Sequence, residues 1–325
     1  MEELYTEFAY DDAFRTMAVK CDDLLLPFLN YTFGEHYDST ACIVRGCNEH
    51  LIDRGMEVNE KRITDSLVQV SMNGITKKYH TECESSPDDG TILIRMFEYD
   101  AQIALEERTF ENYTLNVRFP HTSVLFLRSR GRMPEEMTVN ISTPGGRCSY
   151  PVKVVCVNNY SLDEIFEKEL YFLLPFYLFT KEKELPQIEL DSAQADALIQ
   201  EYEVMLTRLD KLVENNILSA FSRGVIIKLI KEVNEKLTNK YVNINRRVGD
   251  YMGGRVLDLD IIRAHDSGIA EGRQEGRAEG REEGRQENAV SNIRNLMKNM
   301  KLTAEQAMEA LGIDKSEFSK YMTML

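Results

Sequence analysis

Positive charge, paired cysteines and long apolar runs are all scarce in this chain. Lysine and arginine number 39 against 54 aspartates and glutamates, a net charge of −15 over 325 residues. That deficit excludes a histone-like or polybasic mode of nucleic-acid binding, because such affinity comes from neutralising phosphates with cations. Any nucleic-acid contact has to come from a local patch or through metal ions. The six cysteines, at 21, 42, 47, 83, 148 and 156, include no C-x-x-C pair, which leaves a zinc ribbon or a thioredoxin-type site without support. The longest apolar stretch, Leu170 to Phe179, contains Pro175 and is about half the roughly 20 residues a membrane span needs. The opening Met-Glu-Glu-Leu-Tyr-Thr-Glu is acidic and has no apolar signal core. A cytoplasmic location, reduced thiols and no membrane partner are therefore expected.

Hydrophobic residues make up 43% of the chain, enough to bury a sizeable core in two or three domains. From Asp11 to Phe33 the apolar residues Phe14, Met17, Leu24, Leu25, Phe28 and Leu29 recur at mostly helical spacing around Pro27, which predicts one or two helices. Between 40 and 160 the texture changes to short β-branched runs: Leu67 to Val70, Thr122 to Leu127, Met137 to Ile141 and Val152 to Val157. Turn residues bound these runs, and one helical segment, Thr91 to Glu107, interrupts them. The pattern predicts a central sheet flanked by helices over roughly the first 160 residues, mixed α/β or α+β. Beyond it the periodicity is helical. Leu162, Ile165, Phe166, Leu170 and Leu173 mark one helix, and Ala193 to Asn215 and Ser219 to Lys240 mark two more. The apolar stripe of the last of these, Val225, Ile226, Leu229, Ile230, Val233 and Leu237, needs a partner to cover it. This α-helical region occupies 181–266.

The most informative local feature is Asn73-Gly74 between two alternating runs, which predicts a two-residue hairpin and fixes its register. Facing positions then sum to 147, so Asp65 stands opposite Glu82. One face would carry Asp65, Gln69, Lys78, His80, Glu82 and Glu84, the other Val68, Val70, Met72, Ile75 and Tyr79. Two carboxylates directly across an antiparallel pair have Cβ atoms about 5 Å apart and repel unless something positive lies between them. A divalent ion such as Mg²⁺, held by one or two carboxylates with waters and substrate phosphates, would serve. So would a solvent-facing strand whose charges find an arginine such as Arg62 or Arg95.

At these residues the chain resembles a known family. The run KRITDSLVQV…NGITKKYHTECESSPDD…RMFEYDAQIALE, preceded by YDDAFRTM and followed by FPHTSVLFLRS and STPGGRCSYPV, is similar to the recombination-promoting nuclease and transposase-like family of the PD-(D/E)xK superfamily. The resemblance spans most of the first 180 residues. It implies a restriction-endonuclease-like core and a metal-dependent endonuclease acting on double-stranded DNA, with Mg²⁺ or Mn²⁺ as cofactor and a link to recombination or mobile elements. Asp65 would match the signature Asp and Glu82 the first acidic residue of Glu-x-Lys, both as metal ligands. Asp12, or Asp11 beside it, would match the acidic residue of the first helix. The departure is at Glu84, which stands where the signature has Lys; as a carboxylate it could still serve as a base toward an activated water. A protein that keeps the fold and has lost catalysis is the alternative.

After the hairpin, spacings of three and four place Arg95, Glu98, Tyr99 and Gln102 on one helix face. Arg95, Tyr99 and Gln102 are phosphate-contact candidates, unless Arg95 simply neutralises Glu82 or Glu98. His80 reads as a packed strand residue rather than a base. Arg128, Arg130 and Arg132 read as a solvated turn. Over 267–288 glycine recurs in Glu-Gly-Arg-x, either a helix with a glycine stripe or a charged linker. The tail, 289–325, has helix-turn-helix proportions around Gly312, with Ala304, Ala307, Leu311, Ile313, Phe318 and Met322 as its core. It could read DNA or dock protein. A homodimer is expected through this C-terminal third, with Ile293, Leu296, Met297 and Met300 in the seam.

Overall fold

Asn73 and Gly74 both adopt positive φ, 53° and 77°, as a type I′ turn requires. They join β4 (Ser66–Met72) to β5 (Ile75–Glu84) in the expected register, with Ser66 opposite Thr81 and Met72 opposite Ile75. The computed structural model describes residues 2–46, 49–53, 59–63, 65–88, 90–253, 289–298, 301–314, 317–322 and 324. Around the hairpin a six-stranded sheet forms in the order β1-β4-β5-β8-β10-β9. Its other members are β1 (Cys42–Arg45), β8 (His121–Phe126), β9 (Glu136–Thr143) and β10 (Gly146–Cys156). β5, β8 and β10 run parallel; β4 and β9 flank them antiparallel. The remaining strands make two small hairpins, β2 (Glu49–Asp53) with β3 (Asn59–Ile63) and β6 (Thr109–Glu111) with β7 (Thr114–Asn116).

Both faces of the central strands are covered, so β8 is a nearly continuous buried run, as befits a parallel strand between helical layers. Helix α3 (Ile92–Glu106) makes the crossover from β5 to β8 and buries Ile92, Met96, Tyr99, Asp100, Ile103 and Ala104. Its Ile92 and Met96 share a core with Val124, Phe126, Val152, Val154 and Cys156. On the opposite face Tyr79 packs against Phe33 of α2 (Asp22–Phe33), which follows α1 (Glu2–Lys20). The inner part of the hairpin's polar face is therefore covered, while Gln69, Lys78 and Glu84 stay part-exposed. His80 and Glu82 lie buried beside α3, while Ile75, expected on the apolar face, is exposed beside the turn.

The helix expected from Leu162 onward is broken. A capping box at Ser161 starts α4 (Leu162–Glu167), Glu169 takes φ 56°, and Tyr171–Lys181 continues as a 3-10 segment that contains Pro175. Proline lacks the N–H a helix interior needs, and the tighter winding turns a two-sided apolar run inward: Tyr171 to Phe179 are all buried. Phe172 of this run meets Phe14 and Phe28. Next come α5 (Leu185–Leu190), α6 (Ser192–Glu214), α7 (Ala220–Leu237) and α8 (Val242–Gly253). The stripe of α7 is covered by the 3-10 segment and α1, and Asp23 accepts hydrogen bonds from the Ser219 N–H and the Ser222 hydroxyl at its start. These helices thus belong to one compact unit with the sheet, Met1–Leu259.

The second unit, Asp260–Leu325, is built on a helix over 289–298 (α9), α10 (Ala304–Ala310) and α11 (Phe318–Met322). Val290, Ile293, Ala307, Met308 and Tyr321 form its core. Leu311, the C-cap beyond α10, and Met322, both expected inside, are exposed, while Met308 and Tyr321 are buried. Ile293, Leu296 and Met297 pack within this unit rather than offering a free seam. The Glu-Gly-Arg repeat and Met300 lie outside the described residues, as does most of what was expected of a dimer helix. Thr303 and Gln306 form a capping box at α10. Thr303→Ala is expected to cost this small unit about 1 kcal/mol, seen as faster amide exchange in α10 with no change in the larger unit.

Candidate active site

The start of β4 and the end of β5 meet at the carboxyl end of the parallel strands, the edge at which open α/β sheets offer a crevice. Asp65 and Glu82 face each other there and are tied through the backbone. Glu82 Oε1 accepts the Asp65 N–H at 3.0 Å, and Asp65 Oδ2 accepts the Cys83 N–H at 2.8 Å. Both carboxylates are only 4% exposed. Together with Glu84 they line an open pocket of about 270 Å³, to which α1 adds Asp11 and Arg15 and α3 adds Arg95 and Tyr99. Four carboxylates thus share one small space.

Two arginines hold that charge. Arg15 donates to Asp65 Oδ1 from Nε at 3.0 Å and from Nη2 at 2.6 Å. Arg95 Nη2 lies 2.6 Å from Glu84 Oε2, and its Nε stands 3.9 Å from Glu82 Oε2. That buried Nε has no hydrogen-bond partner, Glu82 Oε2 being too far for one. Glu84 Oε1 accepts the Ser86 N–H, so both of its oxygens are engaged. Burial, then the neighbouring Asp65, pushes the Asp11 carboxyl up to about 8, with Arg15 opposing. Burial and the Glu82 charge likewise raise Asp65, against the Cys83 N–H and Arg15.

Behind Glu82 lies a buried polar chain. His80, fully enclosed, contacts Glu82 Oε1 through Nε2 at 3.0 Å and Asp100 Oδ1 through Nδ1 at 2.8 Å. Asp100 Oδ2 accepts the hydroxyls of Thr122, at 2.9 Å, and Tyr150, at 3.2 Å. Burial works to lower the His80 pKa, but hydrogen bonds and charge from Asp100 and Glu82 outweigh it and hold the ring at about 9, an imidazolium at neutral pH. Tyr99 sets its ring edgewise on His80, 5.9 Å between centroids.

Asp65, Glu82, Glu84, Arg95 and Tyr99 are thus gathered in one pocket, as expected of them. Gln102 is half-buried and does not line it. On the first helix it is Asp11 that lines the pocket; Asp12 is exposed one residue round the helix. Arg128 is no solvated turn residue: it pairs with both oxygens of Glu182, donates to the Ser85 carbonyl and lies over Phe179. Arg15 and Asp100 were missed. Both had a signal: Arg15 stands four residues after Asp11, on the same helix face, and Asp100 interrupts the core spacing of Met96 and Ile103, where a carboxylate is costly unless paired.

Among the described residues no three His, Cys, Asp or Glu side chains are gathered closely enough to form a ready metal cage. The donors nevertheless suit a hard cation that keeps most of its waters and takes one or two carboxylates. They are oxygens, mutually repelling and largely buried, and the one thiol among the described lining residues, Cys83, is raised well above its usual range by burial. No family model, no curated protein and no solved structure matches the chain.

Proposed function

We propose that the protein is a metal-dependent endonuclease that hydrolyses phosphodiester bonds in double-stranded DNA, with Asp65, Glu82 and Asp11 holding Mg²⁺ or Mn²⁺. The observation that carries this reading is the convergence of carboxylates from β4, β5 and α1 on one open pocket, beside a buried arginine Nε without an acceptor. Such a cation would supply a charge sink for the phosphate and lower the pKa of the attacking water. Arg95 would donate to a phosphate oxygen. It also brings a fixed positive charge next to Glu84, where the resembled signature has lysine; a guanidinium does not give up its proton, so its part is electrostatic. Glu82 is held in place by the Asp65 N–H and by His80, and Asp65 by the Cys83 N–H. Recombination or mobile-element biology rests on the resemblance alone.

The second reading is a nuclease-fold protein without catalysis that associates with DNA or with protein. The Arg15–Asp65 and Arg95–Glu84 pairs favour it, since they already neutralise the carboxylates. Nicking of supercoiled plasmid separates the two. The purified protein is expected to nick with Mg²⁺ or Mn²⁺ and not in EDTA, and Asp65→Asn to slow this by about 10³-fold or more, several kcal/mol of lost transition-state stabilisation. Nicking that survives Asp65→Asn, or none with either metal, would sink the enzyme reading.

A further inference from the structure

A second and larger cavity, about 590 Å³, opens beyond the carboxyl ends of β5, β8 and β10. Its wall comes from the segments that follow these three strands: Pro87 after β5, Arg128 to Arg132 after β8, and Asn158 and Asn159 after β10, with Lys183 beyond the 3-10 segment. It adjoins the acidic pocket. Ser85 lines the acidic pocket and its carbonyl accepts from Arg128, which lines the cavity, and the Leu127 N–H bonds the Glu84 carbonyl.

The charges in this wall are not balanced. Two carboxylates line it, and both are engaged. Glu182 chelates Arg128 at 2.7 and 2.8 Å, and Glu164 accepts the Ser161 N–H and hydroxyl in the α4 cap. Arg132 and Lys183 are exposed and make no ion pair with a described residue. Two exposed cations thus stand outside any salt bridge among the described residues, Arg132 acting on Glu164 only through space, beside amide and hydroxyl groups of Asn158, Ser129 and Thr180, in a chain whose net charge is −15. On so acidic a protein, a local concentration of uncommitted positive charge marks where an anion is taken up.

We propose that this cavity binds a phosphodiester of the same DNA strand whose scissile phosphate enters the acidic pocket, through Arg132 and Lys183. The inference rests on the nuclease reading for the strand's second phosphate, and spacing supports it. Pro87 is two residues from Ser85 along the chain, at most about 7 Å of extended backbone, which is the scale on which neighbouring phosphates of one strand are separated. The two pockets divide the work: one concentrates carboxylates and needs a cation, the other supplies fixed cations and orients the strand.

The test is binding of a fluorescein-labelled DNA duplex in Ca²⁺ as a function of salt, together with plasmid nicking in Mg²⁺, for the wild type and for Arg132→Glu/Lys183→Glu. Both side chains are exposed, and an unchanged melting temperature will show that the fold is kept. Loss of two phosphate contacts is expected to reduce the slope of log affinity against log salt by about two, and nicking should fall through KM with kcat retained. If the variant keeps the wild-type slope and KM while the wild type still nicks, the cavity assignment fails and the nuclease reading stands. A lowered slope in a protein that never nicks keeps the cavity and removes the nuclease. Stabilisation by inorganic phosphate that the variant loses, with an unchanged duplex slope, would make this a free-anion site and overturn the strand assignment. A wild type that binds no duplex overturns both.

Discussion

Asp100→Ala is expected to lower the stability of the larger unit by about 3–5 kcal/mol, the usual cost of removing one partner from a buried ion pair. The carboxylate is fully enclosed and accepts from three groups, His80, Thr122 and Tyr150. Its loss strands an imidazolium whose remaining partner is Glu82 and leaves two hydroxyls without their acceptor. For a unit of this size the melting temperature should drop by roughly 10 °C. His80→Ala alone should be comparably harmful, because it leaves Asp100 and Glu82 facing each other without the cation. The double variant should cost far less than the sum, a coupling of about 2 kcal/mol or more in a double-mutant cycle. Asp100→Ala within 1 kcal/mol of the wild type in urea unfolding would mean that the pair contributes little as a charged unit. The same change should impair nicking, since His80 holds the Glu82 oxygen that also accepts the Asp65 N–H.

That chain was hard to read from the sequence for a definite reason. Strand features were legible because the side-chain period is two and a type I′ turn fixes the pairing, so Asn73-Gly74 was enough to set Asp65 against Glu82. Helix features depend on phase, where one residue is about 100°. Asp11 and Asp12 differ by that step alone. The buried positions of α1, Tyr10, Ala13, Phe14, Met17 and Ala18, place Asp11 beside Phe14 and Ala18 and turn Asp12 away; that stripe distinguishes the two. In α11 of the tail the same one-residue step put Tyr321 inside and Met322 outside, whereas Leu311 is exposed because α10 has already ended at Ala310. Asp100 was masked by its setting: a lone carboxylate on an amphipathic helix reads as a polar edge until the strand beneath it is known to carry a histidine. The helix expected over Leu162 to Leu173 broke where the run from Leu170 to Phe179 becomes apolar on every side, so periodicity carried no direction, and Pro175 and the turn at Glu169 decided its path.

Without divalent cations the protein is expected to lose stability steadily as pH rises from about 6 to 9, and Mg²⁺ should reverse most of that loss. Asp11 keeps its proton to about 8 in the folded state but releases it near 3.8 when unfolded. The stability it contributes is complete below about pH 4 and disappears as pH climbs through 8, because the unfolded chain then binds fewer protons than the folded one. Asp65, also raised, acts in the same direction. His80 adds to it: with a folded value of about 9 against 6.5 unfolded, its contribution is full below 6.5 and is lost as pH passes 9. Buried acids and a buried base thus weaken the fold over one window, as carboxylates ionise next to each other and the imidazolium between Glu82 and Asp100 discharges. Solvent at the open pocket screens part of this, so the fall attributable to Asp11 should be on the order of 2 kcal/mol. A cation that binds ionised carboxylates competes with protons, so Mg²⁺ should stabilise more at pH 8 than at pH 6, its total contribution reaching about 2.7 kcal/mol where it stands at a hundred times its Kd. Asp11→Asn should flatten the lower part of the EDTA profile and weaken the response to Mg²⁺, leaving the His80 step near 9 in place. Thermal unfolding at constant ionic strength, across this pH range with EDTA or MgCl₂, measures each of these. A flat EDTA profile would remove the repelling carboxylates from the account. Equal profiles with and without Mg²⁺ would leave Arg15 and Arg95 as the only cations the pocket holds.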